Sequence, residues 1–379
     1  MMEIAEELAT RHSVHVLTSG APGLEAVSRH PSVDLTVHRA PVLARRHDRA
    51  TASFLSMLGF LPSGIRLGNR LFGQLQFDVV NTWFAIPSGV TGGWLAKKHR
   101  VPHVLTVIGG DIYDPSKWYS PHHFSPSGSA VKWALRHADE HVAISSDIAG
   151  RTREYFGFDK HIDVIPLGIR KPRFDEVTRE HLKLSPGRRY IVTVGRLVRR
   201  KDYPTLIRAI SALDRADVDL LMIGDGPQHQ NLQALANELG VGDRVRFLGF
   251  VSNEVKYQVL ANSDLFVLAS LHEGFGVVYL EAMFCGLPIV AANRGGQVDI
   301  LDDGITGGLV DIGNVEQMAG AIRALIDDPD LRSKIGHANR VRAENYSISR
   351  IAERYEKIFE NAALVNGSGV LAAKSKVPS

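Results

Sequence analysis

Glu273 and Glu281 are separated by seven residues in Leu271-His272-Glu273-Gly274-Phe275-Gly276-Val277-Val278-Tyr279-Leu280-Glu281. The apolar run Asp264-Leu265-Phe266-Val267-Leu268 before them reads as a buried strand. A glycine-flanked turn and then a helix from about Phe275 to Cys285 should follow, with Glu273 in the turn and Glu281 about two turns into the helix. At the helical rise, the carboxylates would stand roughly 12 Å apart along the axis. Gly274 and Gly276 would let the backbone approach a ligand between them, and a helix N-terminus favours an anion there. Such spacing suits one extended ligand with hydroxyls at each end and a diphosphate in the middle. The plainer reading makes Glu273 a helix-start carboxylate and Glu281 a solvated one.

A second group bears on the choice. Tyr190-Ile191-Val192-Thr193-Val194-Gly195 reads as a strand, and Gly195-Arg196-Leu197-Val198-Arg199-Arg200-Lys201-Asp202 as its exit loop. Ligands of open α/β sheets bind outside the carboxyl ends of strands, which places Arg196 and Lys201 where a diphosphate would lie. Arg offers phosphate a planar fork and Lys a mobile point charge. Arg199 and Arg200 read as solvent-facing.

The Glu–seven–Glu signature, with Gly-Phe-Gly inside it and Glu281-Ala282-Met283-Phe284-Cys285-Gly286-Leu287-Pro288 at its end, resembles the retaining family-4 glycosyltransferases of the GT-B fold. The resemblance implies that Glu273 lies near the donor sugar and Glu281 binds the ribose hydroxyls. It implies that Arg196 and Lys201 contact the leaving diphosphate of a nucleotide-sugar, with Gly195 and the amides of Gly274, Phe275 and Gly276 close by. The backbone at Phe250 and Val251 would meet the nucleobase. In the first half, Thr106-Val107-Ile108-Gly109-Gly110-Asp111 is similar to a Thr-x-His-Gly-x-Asp pattern near the donor sugar, with Ile108 where the family has histidine. Gly110 and Asp111 are then expected as cleft residues.

The elements that must position these groups alternate between β and α throughout, which argues for parallel sheets covered by helices. The resemblance implies two doubly wound Rossmann-like domains facing a central cleft, with a saccharide or lipid-linked acceptor on the side of the first. The expected organisation is a first domain over 1–168, a linker over 169–187 and a second domain over 188–345. A helix over 346–363 would return to the first domain, ahead of a disordered tail over 364–379. Family members open with a strand and a glycine-rich turn before the first helix, whereas Met1–Ala9 already reads as that helix. A central strand of the first domain is therefore expected to be missing, with the native start roughly twenty residues upstream or the chain a defective copy.

Composition narrows the function classes. A length of 379 residues with 44% hydrophobic and 22% charged content fits a two-domain globular protein. No apolar run approaches the ~20 residues of a membrane span. The single cysteine, Cys285, supplies no disulfide framework; a reducing cytoplasm is expected. Charge is uneven: residues 39–72 carry Arg39, Arg45, Arg46, Arg49, Arg66 and Arg70 against Asp48 alone, interleaved with apolar side chains. That stretch could rest on an anionic membrane at its inner face, or form the core and solvent faces of two helices. No nucleic-acid recognition motif accompanies the charge. No metal site and no cofactor are expected; Asp217-Val218-Asp219 reads as a turn before a strand. A nicotinamide-dependent oxidoreductase is disfavoured because Gly224-Asp225-Gly226 lacks the third glycine of the dinucleotide fingerprint. A non-catalytic homologue that binds a nucleotide-sugar or a membrane partner stays as the alternative.

Overall fold

The computed structural model describes residues 1–42, 54–114 and 120–365. The chain divides into two compact units, residues 1–168 with 348 onward, and residues 169–347. The stretch 169–187, expected as a linker, counts with the second unit. Residues 366–379 lie outside the described residues, as do Arg45, Arg46, Asp48 and Arg49 of the basic stretch. No helix among the described residues is long and apolar enough to cross a membrane.

The first unit contains strands β1 (Val14–Ser19), β2 (Val27–Arg29), β3 (Leu35–Ala40), β4 (Val80–Trp83), β5 (His103–Val107), β6 (Glu140–Ala143) and β7 (Asp163–Val164). Its helices are α1 (Met2–Leu8), α2 (Phe54–Phe72), α3 (Val90–His99), α4 (Ser125–His137) and α5 (Ser146–Phe156). The strands make two sheets rather than one, in the orders β1-β3-β2 and β4-β5-β6-β7. Only β2, a short strand the sequence analysis did not read, runs antiparallel. The expected central strand is absent from the described residues, and there β1 and β4 each keep an edge without a partner strand.

All five residues of β5 are buried, as parallel strands covered on both faces should be. Their cover includes the last helix among the described residues, for which Ile348, Ile351, Ala352, Tyr355, Ile358 and Ala362 recur at helical spacing as one apolar stripe. This stripe meets Ile4 and Leu8 of α1, Val104 of β5 and Val142 of β6 in one core. The first unit therefore depends on residues from both ends of the sequence.

The second unit is a single six-stranded parallel sheet. Its strands are β8 (Arg189–Val194), β9 (Val218–Ile223), β10 (Val245–Gly249), β11 (Leu265–Leu268), β12 (Ile289–Ala292) and β13 (Gly307–Val310). Helices α6 (Tyr203–Ala212), α7 (His229–Glu238), α8 (Asn253–Ala261), α9 (Val277–Phe284), α10 (Val315–Asp327) and α11 (Pro329–Ala343) belong to this unit, and α12 (Ile348–Val365) is the terminal helix of the first. The sheet order is β10-β9-β8-β11-β12-β13. This is the doubly wound order, which reverses direction between β8 and β11; the crevice outside the carboxyl ends at such a reversal is where ligands bind. The loops leaving β8 and β11 carry Arg196, Lys201 and Glu273.

Candidate active site

Three glycines line the carboxyl edge beside the reversal, each just past or at the end of its strand. Gly195 follows β8, Gly224 follows β9 and Gly249 ends β10. Gly195 donates to the carbonyl of Ile223 (2.9 Å) and Gly224 to that of Gly249 (2.8 Å). A Cβ on Gly224 would stand 2.1 Å from the Gly195 oxygen, at a φ of +127°. Along this floor, a side chain at Gly195 or Gly224 would collide with its neighbours, whereas Gly249 has open space and is constrained by its φ of +67°.

From Gly195 the chain runs out to a 3₁₀ turn, Arg199–Lys201, which ends where Asp202 adopts a left-handed φ of 47°. The turn points Lys201 inward, and the lysine is buried. The Lys201 ammonium lies 2.6 Å from Glu273 Oε1, and the Ser270 hydroxyl donates to the same oxygen at 2.7 Å. Arg200 Nη1 stands 3.4 Å from both carboxylate oxygens. Arg200, read from the sequence as solvent-facing, is thus a second cation at the carboxylate, with its side chain 46% exposed. Burial alone would push the Glu273 carboxyl up; the charges of Lys201 and Arg200 with the bonds from Lys201 and Ser270 outweigh it and hold it below the usual carboxylate value. The arrangement is a buried ionised carboxylate between two cations, braced by the Leu271 amide donating to the Arg200 carbonyl (2.9 Å).

The segment after Glu273 differs from the sequence expectation. Gly276 holds φ +88°, so the chain enters α9 only at Val277. Glu281 is the fifth helical residue, little more than one turn in, and the axial estimate of the carboxylate separation no longer applies. A Cβ on Gly276 would meet the Tyr279 ring at 2.5 Å. Phe275 is buried, its ring 6.2 Å from that of Tyr346, so its side chain belongs to the core. Glu281 accepts from Lys256 Nζ (2.7 Å) and Tyr257 Oη (3.3 Å), both from α8. Sequence reading passed over Lys256, since a lysine 25 positions from its partner leaves no periodic signal. Arg196 is exposed, as is Phe250 at 92%, while Val251 is half-buried.

Gly110 and Asp111 sit in the first unit. Gly110 is exposed, but Asp111 is buried and its carboxylate is fully engaged. Oδ2 accepts from the Ala85 amide (2.6 Å), and Oδ1 from the amides of Ile108 (3.1 Å) and Gly109 (2.9 Å). Burial pushes this carboxyl up against those amides. Asp111 shapes the loop after β5 by holding three backbone donors.

Comparison with known proteins identifies the chain. The model described as "Glycosyltransferase Family 4" matches residues 1–173, and "Glycosyl transferases group 1" matches residues 174–342. A GDP-mannose-dependent alpha-(1-6)-phosphatidylinositol monomannoside mannosyltransferase of Mycolicibacterium smegmatis is 34% identical over 287 residues, 72% of this chain and 73% of that protein. The chain belongs to the family-4, group 1 glycosyltransferases. N-acetyl-alpha-D-glucosaminyl L-malate synthase of Bacillus anthracis is 26% identical over 374 residues, covering 94% of this transferase and 91% of that protein. Among solved structures, sucrose-phosphate synthase from Thermosynechococcus elongatus superposes with a TM-score of 0.80 at 22% identity, covering 96% and 92% of the two chains. Anabaena Alr3699/HepE in complex with UDP-glucose gives 0.68 at 22% identity, covering 86% of each. These likenesses establish the GT-B glycosyltransferase fold, with sheets that are parallel in both units apart from β2.

Proposed function

We propose that this transferase moves a sugar from a nucleoside diphosphate to an acceptor hydroxyl with retention of anomeric configuration, in cell-envelope or exopolysaccharide glycan synthesis. The observation that carries the reading is the charged cluster of Lys201, Arg200 and Glu273 at the sheet reversal. The relatives lend support: the mycobacterial enzyme is named for GDP-mannose, two Rhizobium meliloti relatives are named for lipopolysaccharide core biosynthesis, and the Anabaena protein was solved with UDP-glucose.

As the bond between the sugar's anomeric carbon and the diphosphate oxygen breaks, negative charge grows on the departing oxygen. Lys201, held by Glu273, and the exposed Arg196, with the amides around Gly274–Gly276, would stabilise that charge electrostatically. Glu273, kept ionised by its two cations, would accept hydrogen bonds from the sugar hydroxyls. The acceptor oxygen then bonds to the anomeric carbon on the face the diphosphate leaves, and its proton passes to the diphosphate. Incubating the protein with UDP-, GDP-, ADP- and dTDP-sugars and a panel of saccharide and lipid-linked acceptors should release nucleoside diphosphate from at least one donor, by transfer to the acceptor or by hydrolysis with water as the acceptor. Binding with neither transfer nor hydrolysis would favour the non-catalytic reading.

We also propose that the enzyme rests peripherally on the inner face of an anionic membrane. The helix α2 exposes Leu58, Pro62, Arg66 and Arg70, and α3 exposes Trp94, Lys97 and Lys98. Lys98 bonds Asn69 of α2 at 2.8 Å and lies 5.1 Å above the Trp94 ring, which joins the two faces. No Asp or Glu occurs in either helix. Each basic residue near such a surface contributes about 1 kcal/mol. Sedimentation with phosphatidylglycerol vesicles should exceed that with phosphatidylcholine and fall with salt; equal binding to both would contradict the assignment.

A further inference from the structure

Glu281 is held unevenly. Its Oε1 accepts from both Lys256 Nζ (2.7 Å) and Tyr257 Oη (3.3 Å), whereas no bond to Oε2 is formed among the described residues. The carboxylate and the ammonium are each only 13% exposed. Lys256 is itself fixed from several sides. Its Nζ reaches Asn253 Oδ1 at 3.2 Å and lies 4.5 Å from the Tyr257 ring centre. Tyr257 stacks on Phe174 at 5.8 Å, and the Ser252 side chain caps the start of α8 by accepting from the Val255 amide.

We propose that Lys256 is a positioning residue for the donor's ribose: it pins one oxygen of Glu281 so that the other is presented to the 2′- and 3′-hydroxyls, and thereby sets the preference for ribo- over 2′-deoxyribonucleotides. The proposal rests on the reading of Glu281 as the ribose contact. The physical reason is twofold. A vicinal diol offers two donors at fixed separation, and a charged acceptor bonds them most strongly when its orientation is already set. A nearly buried carboxylate without a cation would also be costly to keep ionised. Lys256 meets both needs, and Tyr257 steadies the same oxygen. A site built to bond a hydroxyl discriminates against the ligand that lacks it because its own buried group is then left unpaired.

The test is calorimetric titration of UDP and GDP, followed by the 2′-deoxy form of whichever binds more tightly. Wild type, Lys256→Met, Lys256→Arg and Glu281→Gln are compared, with kcat and donor KM measured beside them. Lys256→Met is expected to weaken the ribonucleotide by about tenfold, the loss of one charge-assisted hydrogen bond, and to weaken the 2′-deoxynucleotide less, because that ligand keeps only the 3′-hydroxyl contact. The ratio between the two ligands should collapse towards that of Glu281→Gln, with donor KM rising and kcat held. Lys256→Arg should restore most of the ratio. If Lys256→Met lowers only the melting temperature and keeps the wild-type ratio, while Glu281→Gln loses it, Lys256 is structural and the inference fails. A ratio unchanged in Glu281→Gln would overturn the ribose reading itself, and the inference with it.

Discussion

Lys201→Ala is expected to lower kcat by roughly 10²–10³-fold, the scale observed when one preorganised group facing developing charge is removed. Donor KM should change far less, because the lysine acts on charge that grows during bond cleavage. The same substitution strips the buried Glu273 of its nearest cation. Breaking a buried pair from one side costs about 3–5 kcal/mol, offset in part here by Arg200 at 3.4 Å. The sign of the pH dependence follows from the depressed Glu273 carboxyl. Its contribution to stability is fully present above the ordinary value of 4.5 and is lost as pH falls through the lower folded value. The variant's deficit in chemical denaturation should therefore be largest near neutrality and should narrow on acidification below that value. Adding Glu273→Gln to Lys201→Ala should recover stability but not turnover. Wild-type kcat in Lys201→Ala would remove the lysine from the chemistry.

Gly224→Ala should damage the second unit more than any surface glycine replacement elsewhere. The new Cβ would stand 2.1 Å from the Gly195 oxygen and 2.9 Å from its carbonyl carbon, neither of which can rotate away. The residue also keeps φ +127°, a region that favours glycine. Relief requires separating β8 from β9 at the edge where the loop to Lys201 begins. A loss of about 3 kcal/mol or more is expected, from strain plus displaced strands, with nucleotide affinity falling in parallel. Gly23→Ala is the control: it has a φ of +78° but nothing within 4 Å, so only the backbone term of about 1–2 kcal/mol remains. Equal destabilisation of the two variants in urea would show that the packed glycine floor does not matter.

Much of the second unit was legible because its signals are local. A strand buried on both faces reads as an unbroken apolar run, and the run Asp264–Leu268 contains the strand Leu265–Leu268. The sheet order then put Glu273 and the Gly195–Lys201 loop at one crevice. Arg200 is exposed as read, but its contact with Glu273 left no sign, because three consecutive basic residues carry no mark of which way a 3₁₀ turn will aim them. The start of α9 was set too early, since apolar periodicity runs through Phe275 and Gly276 and only the left-handed φ at Gly276 halts the helix. β13 escaped notice because Gly307-Gly308 resembles a turn. A Cβ at Gly307 would stand 1.8 Å from the Ile289 oxygen, so the strand needs a residue type that usually weakens strands. Asp111 was expected in the cleft, but nothing in its neighbours signals a carboxylate spent on three backbone amides.

Glu281 and Lys256 illustrate a separate limit. The helix that carries Glu281 was foreseen, but its partner comes from another helix whose relation to it exists only once β10 has paired with β9 and β11 with β8 in the sheet. Composition and spacing report neighbours along the chain, and this contact is made across it.

The most direct test of the account is the configuration of the product. An α-linked nucleoside diphosphate sugar that yields nucleoside diphosphate with this enzyme would be supplied with an acceptor, and the new anomeric centre followed by proton NMR from the first turnovers. The account predicts an α-linked product formed in step with nucleoside diphosphate release. A β-linked product would contradict it.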